Sequence, residues 1–528
     1  MNELKELKFE ELSLEQKLGM ATILYVGDAI LFPEQIDYLE GLIKSHSLGG
    51  LWIIPRSDGK NDLARQRLKE VADYPLLFFT DAEAGLGEHK IGRHNPIGAA
   101  DNEELAYAFG KVTAATAAKW GYNVICNPVL DMTDRNCVCQ GTMRSLGSNK
   151  YRVTALAAAE ARGVHDGGCL TIAKHFPGRS DNSATIDSHM AETVSLLTKE
   201  ELLEKNLYPY VELNKMGLLD GVMLGHSRCA NIDPDFPTSL SRHVIQIFRD
   251  TGFDGIAITD ALEMMGIVAK YGERNGLGYA IENAGAMPLA WADDNVDVMK
   301  KVRGCYDDGI ITDERLEILV RRVLAMQHKV MSLPKNVEPT EKELADVARI
   351  NTDSVYARTD EGLPTALDRN GKYHFAIMTQ INGTTELMVD TFKGNWYHPF
   401  KIQRRLQELF PNATFSMISE FPLAADICEF LHKDVEREVV FVTFCIGQAY
   451  AGEERFTPRI ISLINAMQVS NRISTVVHFG NPYLLEDLPH IPRILVGSIS
   501  IDGVNAALEV LAGEYPAKGS LTYDVKLS

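Results

Sequence analysis

Between Cys169 and His189 the chain reads C-L-T-I-A-K-H-F-P-G-R-S-D-N-S-A-T-I-D-S-H. A short apolar run, 170–173, ends in Lys174 and His175. Pro177-Gly178 then breaks the pattern, and a polar loop closes on Asp187-Ser188-His189. A strand built this way carries a cation and an imidazole at its tip, followed by a carboxylate two residues before a second imidazole. Asp187 can accept a hydrogen bond from His189, fix its tautomer and favour its protonated form. Such a ring gives and takes a proton near neutral pH.

Groups of the same kind recur where other apolar runs end: Asp81 and Glu83, Asn127 and Asp131, His226, and Asp260 in G-F-D-G-I-A-I-T-D. Arg144 lies between them in T-M-R-S-L-G. An isolated Asp-x-His is most often a solvated loop. Carboxylates, Lys, Arg and His at consecutive strand ends are not explained by core packing. Together they suit a carboxylate nucleophile working with a separate proton donor, as in glycoside hydrolysis by double displacement. Asp260 would attack the anomeric carbon, and Asp81, Lys174, His175 and Arg144 would hold sugar hydroxyls.

The elements that must position these groups follow from periodicity. Residues 21–26, 49–54, 75–80, 122–128, 170–174, 221–225, 255–259 and 286–290 are apolar runs without alternation, as in parallel strands covered on both faces. Helical patterns separate them at 61–72, 102–119, 151–165, 199–213, 242–250, 273–283 and 313–331, and Ser13 with Gln16 reads as a capping box before 13–20. Eight β/α units predict an α/β TIM-type (β/α)8 barrel over 1–335. A doubly wound sheet alternates in the same way; the strand count separates the two. Residues 336–370 read as a linker, partly helical and without a strand signal. From 371 to 528 the rhythm resumes with strands at 373–379, 413–418, 439–445, 473–479 and 493–498, and helices at 398–409, 422–431, 458–468 and 504–513. That predicts a smaller three-layer α/β sandwich, flavodoxin-like in class. The loop 447–452 lacks the Lys and Gly spacing of a phosphate cradle and reads as a turn.

Composition sets the outer limits. The 528 residues, 45% apolar and 24% charged, are those of a globular chain with two cores. A formal charge of −19 argues against nucleic acid or an anionic membrane surface as the main partner. The N-terminus has no apolar core of a signal peptide, and no run approaches a membrane span. Eight scattered cysteines, with only Cys137 and Cys139 close together, point to a reducing, cytoplasmic setting and to no metal site.

These motifs resemble glycoside hydrolase family 3, and within it the β-N-acetylglucosaminidase branch, over nearly the whole length. Asp81-Ala-Glu-Ala-Gly85 is similar to the family's D-x-E-G-G glycone turn, Asn127-Pro-Val-Leu-Asp131 to its fourth-strand motif, and Arg144-Ser-Leu-Gly147 to its R-S-F-G. Lys174-His-Phe-Pro-Gly178 matches K-H-F-P-G, whose Lys and His contact the sugar, and Asp187-Ser-His189 resembles the D-S-H loop of the N-acetylglucosaminidase branch. The resemblance implies Asp260 as nucleophile, His189 backed by Asp187 as acid/base, and Asp81, Arg144, Lys174, His175 and His226 as substrate-binding residues. It implies no metal or organic cofactor, and as substrate an N-acetylglucosamine-containing oligosaccharide or muropeptide. The activity expected is that of a retaining exo-β-N-acetylglucosaminidase. The alternatives are a phosphorylase of the same glycosides, another family 3 β-glycosidase, and an inactive sugar-binding homologue. The chain departs from the pattern at Arg179 for a second His, Ala84 for a Gly, Ala261 for a second Asp, and in a longer loop from 177 to 187. Oligomeric state is left open.

Overall fold

The computed structural model describes residues 4–27, 32–55, 61–135, 141–179, 187–379, 399–445 and 455–528. Cys137, Cys139, the loop 447–452 and most of the loop before Asp187 lie outside the described residues.

In chain order the strands are β1 (Ile23–Val26), β2 (Gly50–Ile53), β3 (Leu77–Thr80), β4 (Val124–Ile125), β5 (Leu170–Phe176), β6 (Thr193–Ser195), β7 (Gly221–Leu224), β8 (Ser227–Cys229), β9 (Ile256–Ala261) and β10 (Met287–Ala290). β1, β10, β9, β7, β5, β4, β3 and β2 close a barrel in that order, every pairing parallel. β6 and β8 form a separate parallel pair beside it. The eight predicted runs are the eight barrel strands. β1, β2, β3, β5, β7 and β10 are buried at every position. That is why the runs lack alternation: helices cover one face and the barrel interior the other. Large interior side chains need small neighbours. A Cβ on Gly50 would sit 2.7 Å from Phe79, and one on Gly221 would sit 2.5 Å from Ile172.

Helix Leu14–Met20 starts on the capping box expected: Gln16 N–H donates to Ser13 Oγ at 3.3 Å, and Ser13 N–H to Gln16 Oε1 at 2.8 Å. The pattern at 199–213 is two helices, Lys199–Glu204 and Tyr208–Lys215, the second with Pro209 in its first turn, where its missing N–H costs nothing. The pattern at 273–283 spans the end of a longer helix, Met265–Tyr279, interrupted at Gly272, whose φ of 69° a glycine accommodates, and the π-helical turn Ala280–Ala284 that follows it. Among the described residues four barrel-domain helices had no counterpart in the sequence reading, Pro33–Lys44, Asn95–Ala100, Gly141–Arg144 and Asn295–Asp307.

The second sheet contains β11 (Tyr356–Thr359), β12 (Tyr373–Thr379), β13 (Thr414–Ser419), β14 (Glu438–Cys445), β15 (Ile473–Gly480) and β16 (Arg493–Gly497). The order β13-β12-β14-β15-β16 is parallel and follows the flavodoxin-like winding, with β11 antiparallel at the edge. Phe375 and Ile377 pack into one helical layer, Ala376 and Met378 into the other. β11 corrects the reading of 336–370 as strandless. Tyr-Ala-Arg-Thr is half-buried throughout and short, so it carries no apolar run; pairing with β16 makes it a strand.

Below the barrel, Asp220 precedes β7 and accepts from His165 Nε2 at 2.7 Å, Lys329 Nζ at 3.0 Å and the Thr171 N–H at 3.1 Å. Burial opposes its charge, but His165 and Lys329 outweigh it and hold the carboxyl down to about 2. A carboxyl depressed in the native state adds stability above its unfolded-state pKa and loses it as pH falls through the native value. Asp220→Asn is therefore expected to remove about 2 kcal/mol near neutral pH. The wild-type advantage should fade between about pH 4 and about pH 2, read by urea unfolding across that range.

Candidate active site

The residues singled out at the strand ends come together at the carboxyl rim of the barrel. Asp81 and Glu83 follow β3, and Lys174 lies within β5, only 1% exposed. Its ammonium is ion-paired to Asp81, and lies 2.6 Å from Glu83 Oε1. Glu83 also receives the Arg144 guanidinium as a fork, Nε to Oε2 at 2.7 Å and Nη2 to Oε1 at 2.5 Å. Burial opposes the charge on Glu83, yet Arg144 and Lys174 hold its carboxyl well below the usual carboxylate range. Arg144 and Lys174 are raised in turn by the same carboxylates, against the penalty of burial.

His175 is 4% exposed. Its Nδ1 meets Asp131 Oδ2 at 2.7 Å, and its Nε2 meets Arg144 Nη2 at 3.1 Å. A guanidinium only donates, so Nε2 accepts and Nδ1 carries the proton. Burial, with Arg144 and Arg179 nearby, pushes the ring's pKa down despite Asp131, in keeping with that neutral tautomer. Both ring nitrogens are engaged, so His175 orients Arg144. Three peptide bonds at this rim are cis: Asn127–Pro128, Lys174–His175 and Phe176–Pro177.

His226 follows β7 and is 2% exposed. Its Nδ1 is 2.8 Å from Ser239 Oγ and its Nε2 is 2.8 Å from the Ala261 carbonyl oxygen. It therefore braces the carbonyl of Ala261, the residue after Asp260. Asp260, near the end of β9, accepts from the Ala261 N–H at 2.9 Å. Burial opposes its ionisation, but the Ala261 N–H and the Arg179 guanidinium keep the carboxyl well below the usual range. It stands ready as an anion.

Asp187 and His189 form the pair read from sequence. Asp187 Oδ1 takes both the His189 N–H at 2.9 Å and Nδ1 at 2.7 Å, which leaves Nε2 as the position for an exchangeable proton. The turn is bound to the far side of the rim. Met265 N–H donates to the His189 carbonyl at 3.1 Å. Gly266 packs so close that a Cβ would lie 3.1 Å from the Ala191 oxygen and 3.2 Å from the Ser188 oxygen. Arg179 Nη2 donates to Ser188 Oγ at 3.3 Å, so the residue standing in for a family His faces the same loop. An aromatic wall completes the rim: Trp291, just past β10, stacks on Tyr25 at 4.2 Å and lies 6.2 Å from Trp52.

Three participants went unread in the sequence: His94, Glu160 and Ser239. Glu160 carried a signal, a single carboxylate on the apolar face of V-T-A-L-A-A-A-E-A-R-G. Among the described residues no group of three or more His, Cys, Asp or Glu side chains could hold a metal ion, and no helix is long and apolar enough to cross a membrane.

Comparison with known proteins places this geometry. The family model described as the glycosyl hydrolase family 3 N terminal domain matches residues 14–326. A beta-hexosaminidase of Tolumonas auensis is 31% identical over 256 residues, 46% of this chain and 75% of that protein. A beta-hexosaminidase of Pseudomonas aeruginosa is 34% identical over 172 residues, 32% of this chain and 50% of that protein. Among solved structures, a glycoside hydrolase family 3 beta-N-acetylglucosaminidase from Paenibacillus sp. str. FPU-7 superposes with a TM-score of 0.80 at 23% identity. It covers 98% of this chain and 100% of its own, and the likeness is one of fold.

Glu83 is the shared counter-charge of two buried cations. Glu83→Gln is expected to lower stability by about 3 kcal/mol, because it leaves Arg144 and Lys174 short of a partner. Thermal unfolding checks this, with the same change at exposed Glu361 expected to leave the midpoint in place.

Proposed function

Because the chain belongs to glycosyl hydrolase family 3, it is a glycoside hydrolase, and we propose that it is a retaining exo-β-N-acetylglucosaminidase removing terminal β-linked N-acetylglucosamine. The named activity of the beta-hexosaminidase relatives supports the substrate class. One observation carries the mechanism: Met265 N–H, five residues beyond Asp260, donates to the His189 carbonyl at 3.1 Å. That bond ties the carboxylate-backed imidazole to the strand end that carries the nucleophile.

In this reading Asp81, Lys174 and Arg144 seat the glycone hydroxyls. Asp260 attacks the anomeric carbon as His189 Nε2–H protonates the departing glycosidic oxygen, leaving a glycosyl ester on Asp260 and a neutral His189. Water then attacks the anomeric carbon while His189 Nε2 takes its proton, so the sugar leaves with retained configuration and both groups return to their starting states. Asp187 holds Nδ1–H throughout and steadies the imidazolium. A carboxylic acid in the same place would end the first step as an anion. The imidazole ends it uncharged and does not repel an anionic acceptor. Phosphate is accordingly the second acceptor to test, and a sugar 1-phosphate as main product would replace hydrolysis by phosphorolysis. The substrate is proposed to be an N-acetylglucosamine-containing oligosaccharide or muropeptide.

The experiment is an aryl N-acetyl-β-glucosaminide assay beside the aryl glucoside and xyloside, with and without phosphate. Release from the N-acetyl substrate is expected to dominate; equal rates on all three would remove the assignment. Asp260→Asn should lower kcat by roughly 10^4-fold or more, since no covalent intermediate forms. His189→Ala should cost roughly 10^3-fold on substrates with poor leaving groups and far less on activated aryl glycosides. Equal losses on both classes would show that His189 is not the acid.

A further inference from the structure

Beneath the sugar-binding cations lies a pair that the reaction scheme does not use. His94 and Glu160 have fully enclosed side chains, 0% exposed on both sides, and His94 Nε2 is 2.8 Å from Glu160 Oε2. The other oxygen, Oε1, accepts from Asn127 Nδ2 at 2.8 Å. His94 Nδ1 lies 3.2 Å from the carbonyl oxygen of Arg144. A carbonyl only accepts, so Nδ1 carries a hydrogen, and with Glu160 ionised Nε2 carries one as well, which makes the ring an imidazolium. An imidazolium is tolerated in a dry interior only beside an opposite charge, which Glu160 supplies.

The helices are built for this contact. Glu103–Trp120 and Lys150–Asp166 touch backbone to backbone: a Cβ on Gly110 would sit 2.1 Å from the Glu160 carbonyl oxygen, and one on Gly163 would sit 2.2 Å from that of Tyr107. The closeness seals Glu160 against His94, whose ring is 6.2 Å from that of Phe109. The charged groups that face His94 are Glu160 from helix Lys150–Asp166 and Glu83 from the loop after β3, along with the Arg144 carbonyl. Burial opposes the charge on His94, but those groups prevail and its pKa rises above the ordinary histidine value.

We propose that His94 and Glu160 are positioning residues for sugar binding, with the buried imidazolium pinning the Arg144 backbone so that its guanidinium is held between Glu83 and His175. Asn127 extends the network to the end of β4, so two walls of the glycone site share one buried charge pair. The inference rests on the reading of Arg144 as a glycone ligand.

Glu160→Gln keeps the shape and removes the charge. His94 then keeps one proton instead of two: the new amide oxygen accepts from Asn127, its NH2 donates to His94 Nε2, and Nδ1–H still meets the Arg144 carbonyl but as a neutral, weaker donor. The expected result on the aryl N-acetyl-β-glucosaminide is a KM raised roughly ten-fold with kcat changed far less, because Arg144 binds ground and transition states alike. The pair favours the protonated ring, so its contribution is present at low and neutral pH and lost as pH rises through the native value. The alkaline limb of kcat/KM should therefore move to lower pH in Glu160→Gln and return towards wild type in Glu160→Asp. A folded Glu160→Gln enzyme with wild-type KM and an unmoved alkaline limb overturns the proposal. Wild-type protein labelled with 15N-histidine supplies a readout that needs no active variant. His94 should give an imidazolium signature at neutral pH, and a neutral ring there overturns the proposal as well. Arg144→Ala separates the two readings: unchanged KM in that variant sinks the glycone role of Arg144. A raised KM there with an unaffected Glu160→Gln sinks only the positioning pair.

Discussion

A carboxylate that water barely reaches, at Glu83, must find its counter-charge inside the protein. Two cations supply it, Lys174 from β5 and Arg144 from the segment between β4 and β5. An isolated ion in such a place would cost several kcal/mol, so neither the carboxylate nor the cations can occupy the rim alone. The requirement fixes the loop after β3 against β5 and the Arg144 turn, and it leaves Asp81, half-exposed, as the outward-facing acceptor on Lys174. Partners that neutralise one another in the resting protein are also the donors and acceptors a polyhydroxylated ring would meet. In the proposed reading the same charges that hold the rim together also seat the sugar.

Four histidines around this rim show how partner geometry assigns roles to one side chain type. His175 has a carboxylate on Nδ1 and a guanidinium on Nε2, which makes it neutral and a conduit between Asp131 and Arg144. His226 meets a hydroxyl and a carbonyl, is neutral, and holds the peptide after Asp260. His94 meets a carbonyl and the Glu160 carboxyl group, the pairing proposed to hold it charged. His189 has Nδ1 held by Asp187, the arrangement that suits a ring exchanging protons at Nε2. Composition alone would count four similar residues. The atoms opposite each nitrogen separate them.

The second sheet reaches the site without adding a reacting group among the described residues. Tyr523 O–H donates to the Ser145 carbonyl at 3.0 Å, and the Ser148 N–H donates to the Thr522 carbonyl at 3.0 Å, so the C-terminal tail straps the turn that carries Arg144. Tyr483 O–H donates to the Thr133 carbonyl at 3.0 Å, and Ser498 Oγ to that of Ile91 at 2.8 Å. Arg135 pairs with Glu486 and Asp487. These contacts fall on the loops after β3 and β4. A wrong angle at Arg144 would propagate to Glu83 and His175, so bracing that turn from outside the barrel serves the same end as the His94–Glu160 pair inside it.

The barrel and the flavodoxin-like winding were legible in the chain because both depend on local pattern. Strands buried on two faces leave continuous apolar runs, and the helices between them leave capped, periodic stretches. The strand-end groups were legible for the same reason, since a polar residue closing an apolar run stands out. β11 was not, because Tyr356 to Thr359 is a strand only by virtue of the β16 edge it pairs with. The split near Pro209 and the early start at Met265 were missed because packing overrode a short periodic signal. At the site, the residue types were determined by the sequence, but their roles were not. The chain alone did not reveal which protein atoms meet the ring nitrogens of His175 and His226, and His94 with Glu160 gave no joint signal because 66 positions separate them. Hydrogen-bond direction and ionisation are set by which atoms face each other in a dry interior, and only the folded arrangement decides that.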